Sequence, residues 1–149
     1  MVRPRRQDGE VVLPCACANL RRAARAVTQL YEGELRRAGV RATQFTLLQV
    51  LAKAGPIRQG RLGEVLAMDS TTLTRTLRLL LEKGWIRRAV GADRRQRYFE
   101  LTPAGQRQAE KVLPYWERAQ RRLKKSLGLG GWAELERVSV GAARAARAG

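Results

Sequence analysis

The sequence predicts a mainly helical fold with a small β-hairpin. Three observations lead to this prediction. Apolar residues recur at helical spacing along most of the 149 residues, one arginine-rich stretch reads as two short strands, and Gly or Pro separates the segments. A chain of this length is expected to form one domain with a modest core, to which an oligomer would add stability.

The first segments are predicted to be an arm and two helices. Residues 1–12 form a flexible basic arm, followed by a helix with Pro14 in its first turn and Gly39 at its end. Thr43 can cap a second helix, which ends at Gly55-Pro56. The apolar stripe of the first helix comprises Cys17, Leu20, Ala24, Val27, Tyr31 and Leu35.

The middle of the chain predicts two helices joined by a tight turn. Residues 57–60 are expected as a short edge strand and residues 62–67 as a third helix. Asp69 is a good N-cap for a fourth helix over 70–83, with Gly84 as its C-cap. Two helices in this arrangement match helix-turn-helix geometry.

The fourth helix combines an apolar face with a polar one. Helical spacing gathers Leu73, Leu77, Leu80 and Leu81 on the apolar face. The outward positions are Ser70, Thr71, Thr74, Arg75 and Arg78. Short hydroxyl side chains let a helix approach a DNA groove closely, and an arginine can bond to two acceptors of one guanine. The pattern therefore predicts a helix that reads the major groove.

A hairpin is predicted directly after this helix. Its strands are expected over 85–89 and 97–101, with residues 90–96 as the loop between them. Five of its residues are arginines: Arg87, Arg88, Arg94, Arg95 and Arg97. Arginine binds phosphate oxygens, so the hairpin, which we call the wing, is expected to clamp the DNA backbone beside the reading helix.

The C-terminal third predicts two more helices. Thr102 caps and Pro103 opens a helix of about 24 residues, which spans roughly 36 Å. Pro114 should kink it, because proline removes a backbone donor, and a last helix is expected from Gly131 to about residue 146. The apolar surface along this long helix is larger than the rest of so small a protein can cover. A partner chain is the favoured explanation, and a monomeric core helix is the alternative.

The charge of the chain favours a polyanion as its partner. Thirty basic and thirteen acidic residues give a formal charge of +17. Charge alone would also suit a sequence-independent basic nucleic-acid-binding protein, and only the pattern over residues 69–105 favours specific reading of double-stranded DNA. No apolar run is long enough to span a membrane or to serve as a signal peptide, so a cytoplasmic protein is expected.

The sequence offers little for catalysis. Without histidine, a histidine-based triad or zinc hydrolase is excluded, and Cys15 and Cys17 supply too few ligands for a closed metal site. No phosphate-binding glycine loop is visible, and a thiol peroxidase built on the two cysteines is disfavoured. We therefore expect a protein that is not an enzyme and that needs no cofactor or metal.

The chain resembles the winged helix-turn-helix regulators of the multiple-antibiotic-resistance-regulator (MarR) family over nearly all its length. The resemblance rests on the order and spacing of Leu66-Ala67, the run Ser70 to Arg75, Glu82 to Ile86, Asp93-Arg94-Arg95 and Leu101 to Gly105. It implies a winged helix-turn-helix over 43–102, flanked by dimerisation helices over 13–38 and 103–149. It also implies a homodimer on a pseudo-palindromic operator, and a wing in which Asp93 orients Arg95 for the minor groove.

The first helix also resembles the organic-hydroperoxide-sensing branch of that family. In that branch a reactive cysteine near the helix start forms a hydrogen bond with a tyrosine fourteen residues later. The corresponding residues here are Cys17 and Tyr31. Arg21 stands where the branch carries a second tyrosine, and a nearby cation favours a thiolate.

Two other readings of these residues remain open. In the first, Cys15 and Cys17 are small apolar core residues, which is the commonest fate of a free cysteine. A small-molecule effector is the alternative to a peroxide, in a cleft to which Tyr31, Phe45, Trp116 and Trp132 would contribute.

Overall fold

The structure, a computed structural model, describes residues 5–7, 9–91, 93 and 95–146. Its helices are α1 (Ala16–Leu35), α2 (Ala42–Ala54), α3 (Gln59–Leu66), α4 (Ser70–Glu82) and α5 (Pro103–Ala145), with one turn of 3-10 helix at Arg36–Ala38. Its strands are β1 (Arg5–Gln7), β2 (Glu10–Val12), β3 (Ile57–Arg58), β4 (Ile86–Ala89) and β5 (Tyr98–Leu101). The predicted mainly helical fold with a small β wing is confirmed.

The chain divides into two compact units. One comprises the residues up to Gly33 and from Glu117 onward, and the other comprises Glu34–Trp116. The second unit contains the helix-turn-helix and the wing. Its core is built where α2, α3 and α4 meet the sheet, and its buried side chains are Leu47, Leu48, Leu51, Leu62, Leu73, Leu77, Leu80, Ile86 and Phe99.

The sheet of the second unit is antiparallel, in the order β3-β5-β4. Strand β5 is therefore central. Strand β3 is the edge strand that the sequence predicted, but it ends at Arg58, because residues 59 and 60 already belong to α3. Phe99 of β5 pairs with Ile57 on one side and with Arg88 on the other. Burial of Phe99 fixes the register, because a slip by one residue would turn its ring to solvent.

Helix α4 begins and ends close to the predicted positions. Asp69 is its N-cap, as expected, and Lys83 is its C-cap. Gly84, predicted as the C-cap, comes one residue later with a φ of 66°, and the N–H of Trp85 returns to the carbonyl of Leu80. This closure is the usual way in which a left-handed glycine ends a helix.

The start of α2 differs from the prediction. Its N-cap is Arg41 rather than Thr43, and the side-chain oxygen of Gln44 accepts the backbone N–H of Arg41 at 3.0 Å. A glutamine three residues into a helix satisfies the N-cap donor in this way. The helix therefore starts earlier than a hydroxyl cap would allow.

The N-terminal segment of the first unit is also corrected. Residues 1–12 were expected to be a flexible arm, but in the described part of this segment β1 and β2 pair as an antiparallel hairpin with Gln7 opposite Glu10. The amide of Asn19 then connects the hairpin to α1, since it donates to the carbonyl of Leu13 at 2.7 Å and accepts the N–H of Leu13 at 3.0 Å.

Helix α5 starts as predicted, and its break falls between the two C-terminal helices that the sequence predicted. The hydroxyl of Thr102 accepts the N–H of Gly105 at 3.0 Å, which caps the helix. Within Pro103–Ala145, all of it described, the one residue with non-helical angles is Gly128, at φ 69° and ψ 174°. The backbone stays helical through Pro114, where the kink was predicted. Pro114 and Glu110 are exposed, so water can satisfy the carbonyl that proline leaves without a donor.

No helix in the described part of the chain is long and apolar enough to cross a membrane.

Candidate nucleic-acid interface

The polar face of α4 is open to solvent. Leu73, Leu77 and Leu80 are buried against the core, which leaves the opposite side of the helix outside. The five residues predicted there are all exposed and together line a shallow depression of about 400 Å³: Ser70, Thr71, Thr74, Arg75 and Arg78. The helix thus presents hydroxyl and guanidinium groups on one continuous surface.

Asp69 fixes the first turn of α4. Its carboxylate accepts the backbone N–H of Thr72 at 2.9 Å and the Thr72 hydroxyl at 2.6 Å. The side-chain hydrogen bond from Thr72, with the backbone one beside it, holds the pKa of the Asp69 carboxyl below its usual value. The carboxylate is therefore ionised over the working range of pH, where it stabilises the positive end of the helix dipole.

The wing turn is held by Asp93. Its carboxylate accepts the backbone N–H of Arg95 at 2.9 Å and the side-chain amide of Gln96 at 3.0 Å. The resemblance implied that Asp93 orients Arg95, and in the structure this contact reaches the backbone of Arg95. The guanidinium of Arg95 stays exposed. Arg94, also predicted to bind DNA, lies outside the described residues.

The other predicted arginines of the wing are exposed, and one is paired. Arg87 donates from Nε to a carboxylate oxygen of Glu100 at 2.7 Å, directly across the strand pair. Arg88 and Arg97 are exposed. On α4, Arg78 makes a similar contact with Glu82 at 2.8 Å. Exposed pairs of this kind contribute about 0–1 kcal/mol, so a phosphate or a base edge can displace the carboxylate.

A contact that the sequence did not reveal joins the wing to α4. Gln59, the first residue of α3, donates its backbone N–H to the carbonyl of Arg97 at 2.8 Å and its side-chain amide to the hydroxyl of Thr74 at 3.0 Å. Beside it, Arg58 donates to the side-chain oxygen of Gln96 at 3.0 Å. The start of α3 therefore holds both predicted DNA-contacting elements. A groove of about 910 Å³ opens here, between α3, the start of α4 and the base of the wing.

The candidate sensor residues are not brought together within one chain. Cys15 and Cys17 are free and exposed, and so is Arg21. Fourteen residues of helix separate Cys17 from Tyr31, about 21 Å along the axis, so a bond between them would have to join two chains. The hydroxyl of Tyr31 instead donates to the side-chain oxygen of Gln120. Partial burial raises the pKa of Tyr31, so this hydroxyl keeps its proton.

Three of the aromatic residues predicted to line an effector cleft contact other side chains of this chain. Phe45 is buried, and its ring centroid lies 6.3 Å from that of the half-buried Trp116. Lys124 places its ammonium 4.6 Å from the ring centre of Trp132. The burial of Phe45 favours the alternative that the sequence left open for it, a core position in the second unit. Across the described ranges, no three or more Cys, Asp or Glu side chains form a group that could hold a metal ion.

Known proteins share this architecture. The MarR family model matches residues 40–96, from two residues before α2 into the wing turn. The crystal structure of the Mycobacterium tuberculosis transcriptional regulator MosR in complex with DNA is 34% identical, covers 90% of this chain and 97% of that chain, and superposes with a TM-score of 0.80.

The chain belongs to the MarR family. A mutant of MarR from E. coli complexed with operator DNA is 26% identical, with 85% of this chain and 91% of that chain covered and a TM-score of 0.76. An uncharacterized HTH-type transcriptional regulator of Bacillus subtilis, YwoH, is 28% identical over 93 residues, which is 62% of this chain and 68% of that protein. The predicted family is confirmed, and both family and fold are those of transcriptional regulators.

Proposed function

We propose that this chain is a sequence-specific transcriptional repressor that binds double-stranded DNA. The observation that carries the proposal is the exposed hydroxyl and guanidinium face of α4, held through Gln59 to an arginine-bearing wing. Arg75 and Arg78 suit bidentate contacts to guanine, whereas Arg95 on the wing suits the negative potential of a narrow minor groove. Two relatives with this fold are known in complex with DNA, which supports the proposal.

The proposed DNA-bound form is a homodimer. Large apolar side chains are exposed on the terminal helices, among them Leu129 at 95% and Val140 at 62% of their surface. A second copy of the chain would remove such surface from water. A two-fold symmetric dimer requires half-sites about 34–36 Å apart, one turn of DNA, and hence a pseudo-palindromic operator. A dimer on a promoter excludes polymerase by occupancy, which is why we favour repression. Because the proposed partner is DNA, we expect the chain to act in the cytoplasm.

The proposed signal is oxidation of an exposed thiol. Cys17 lies in the first turn of α1, and Arg21 follows one turn later on the same side of the helix. With an organic peroxide, the thiolate attacks one peroxide oxygen, the S–O bond forms, the O–O bond breaks, and the other oxygen leaves as an alcohol after protonation. The sulfur is oxidised to a sulfenic acid and the peroxide is reduced. A small molecule that shifts the dimer between two arrangements is the alternative signal.

Selection from random DNA tests the proposed function. Purified protein is incubated with a pool of randomised duplexes, and the bound fraction is sequenced. We expect an enriched pseudo-palindrome that footprints on genomic DNA and represses a reporter placed downstream. Binding without an enriched sequence would favour the sequence-independent binder, for which charge is sufficient.

A peroxide titration tests the proposed signal. DNA release is measured for the wild type, Cys15→Ser and Cys17→Ser. We expect Cys17→Ser to bind DNA normally and to ignore the peroxide, whereas Cys15→Ser should respond. Equal responses from Cys17→Ser and the wild type would favour the small-molecule signal.

A further inference from the structure

The hydroxyl of Thr74 is oriented differently from those of two other helical threonines, Thr46 and Thr76. Thr46 and Thr76 turn their hydroxyls back to the helix and donate to the carbonyls of Ala42 and Thr72, both at 2.9 Å. Such back-bonding uses the one hydrogen that a hydroxyl can donate. The Thr74 hydroxyl instead accepts a hydrogen bond from the side-chain amide of Gln59, at 3.0 Å.

This arrangement leaves the hydrogen of the Thr74 hydroxyl for a partner in front of α4. A threonine oxygen has two acceptor sites and one hydrogen, and the amide of Gln59 takes one acceptor site. Accepting a hydrogen bond also polarises the hydroxyl and strengthens it as a donor. Thr74 is exposed in the depression that Arg75 and Arg78 also line. The matching partner is a hydrogen-bond acceptor, either a base edge in the major groove or a phosphate oxygen.

We infer that Gln59 is a positioning residue that sets the Thr74 hydroxyl as a hydrogen-bond donor to DNA. The inference rests on the proposed function. Gln59 is itself held in place, because its backbone N–H is bonded to the Arg97 carbonyl at the base of the wing. Without the amide, the Thr74 hydroxyl can turn back to the carbonyl of Ser70, one helical turn earlier, as Thr76 does to Thr72. The donor toward DNA is then lost although Thr74 is unchanged.

A double-mutant cycle on duplexes selected by the wild type tests the pairing. Gln59→Met removes the amide at similar length, and Thr74→Val removes the hydroxyl at similar shape. Each is expected to weaken binding about 3- to 10-fold, the size of one hydrogen bond. The double variant should bind like the weaker single variant, because both changes remove one interaction. Thr74→Ser, which keeps the hydroxyl, should retain most of the affinity.

A control and a second readout separate positioning from a general structural effect. Gln106→Met removes an exposed amide that donates to Glu110 on α5, and it should leave DNA affinity unchanged. Repeating the selection with Gln59→Met and with Thr74→Val should relax the same position of each half-site if the acceptor is a base. If it is a phosphate, both variants should keep the wild-type sequence preference and bind every duplex more weakly.

Two results would overturn the inference: independent, additive losses from Gln59→Met and Thr74→Val, or wild-type affinity in either variant. If the wild-type protein enriches no sequence from the random pool, a different hypothesis fails. That result contradicts the proposed function, before any variant is compared.

Discussion

The carboxylate of Asp93 holds the backbone N–H of Arg95 at 2.9 Å and leaves the guanidinium of that arginine exposed. The same carboxylate accepts the amide of Gln96, which in turn accepts a hydrogen bond from Arg58. Asp93 thus shapes the turn from which Arg95 projects. A short polar side chain that bonds to the backbone two residues on is a common way to fix such a turn.

For a substitution of Asp93, charge and geometry predict opposite changes in DNA affinity. Asp93→Ala removes a negative charge, which by electrostatics alone should strengthen binding to DNA. We expect weaker binding to selected duplexes instead, because the turn that aims Arg95 is lost. Affinity for random duplexes at several salt concentrations is the control for the charge effect. Stronger binding to the selected duplexes would show that the turn does not matter.

Arg95→Lys tests the arginine itself. The variant keeps the charge and the backbone contact to Asp93 but loses the planar, poorly hydrated guanidinium. Affinity for selected duplexes should fall, while affinity for random duplexes should barely change. A matched Arg88→Lys variant on β4 should show the smaller effect in the same titration.

The two arginines of α4 should differ in their contributions. If Arg75 contacts a guanine with both nitrogens, Arg75→Ala should cost about 1–3 kcal/mol and relax one position of each half-site. Arg78 must first leave Glu82, so Arg78→Ala should cost less. Glu82→Gln removes that competitor and should strengthen binding. Equal losses from both arginines, with no effect of Glu82→Gln, would contradict this ranking.

The N-cap of α4 predicts a pH dependence of stability. The folded pKa of Asp69 lies below the ordinary value of 3.8. The folded state therefore holds this proton less tightly than the unfolded state. Its contribution is fully present above pH 3.8 and is lost as the pH falls through the lower folded pKa.

Asp69→Asn isolates this contribution, since asparagine keeps an acceptor for the cap but does not titrate there. The free energy of unfolding of both proteins is compared from about pH 6 down to about pH 2. The difference in free energy of unfolding between the wild type and Asp69→Asn should become smaller as the pH falls. Curves that stay parallel would mean that the carboxylate gives no pH-dependent stabilisation.

Gly105 is a position where a single methyl group should be costly. A Cβ built on it would lie 1.8 Å from the backbone oxygen of Trp85, which cannot move without disturbing the strand that follows. Gly105→Ala should lower the free energy of unfolding by about 1–3 kcal/mol or more. Gly33 on α1, with nothing within 4 Å of its Cβ position, is the control. Gly33→Ala should leave stability unchanged or raise it, because alanine favours the helix.

The features that the sequence predicted well are local ones. The leucine spacing of α4 and the Asp69 cap depend on residues within a few positions of each other, so pattern and propensity were sufficient. The hairpin β1–β2 also had a local signal that was missed, the pair Asp8-Gly9, which is typical of tight hairpin turns.

Other features that were missed depend on tertiary structure. The bond from Gln59 to Thr74 joins polar residues on two helices, and no periodicity marks it. The role of Asp93 was predicted only in outline, since sequence spacing does not tell a backbone contact from a side-chain contact.

The break at Gly128 has a genetic consequence. Its angles, φ 69° and ψ 174°, belong to a region that is essentially confined to glycine, and every missense mutation of codon 128 adds a Cβ. A substituted residue would favour an uninterrupted helix, in which Lys124 and Trp132 stand about 12 Å apart along the axis. The ammonium that now lies 4.6 Å from the Trp132 ring would then lose this contact. Silent changes are therefore the ones that this codon can accumulate without altering the path of the chain.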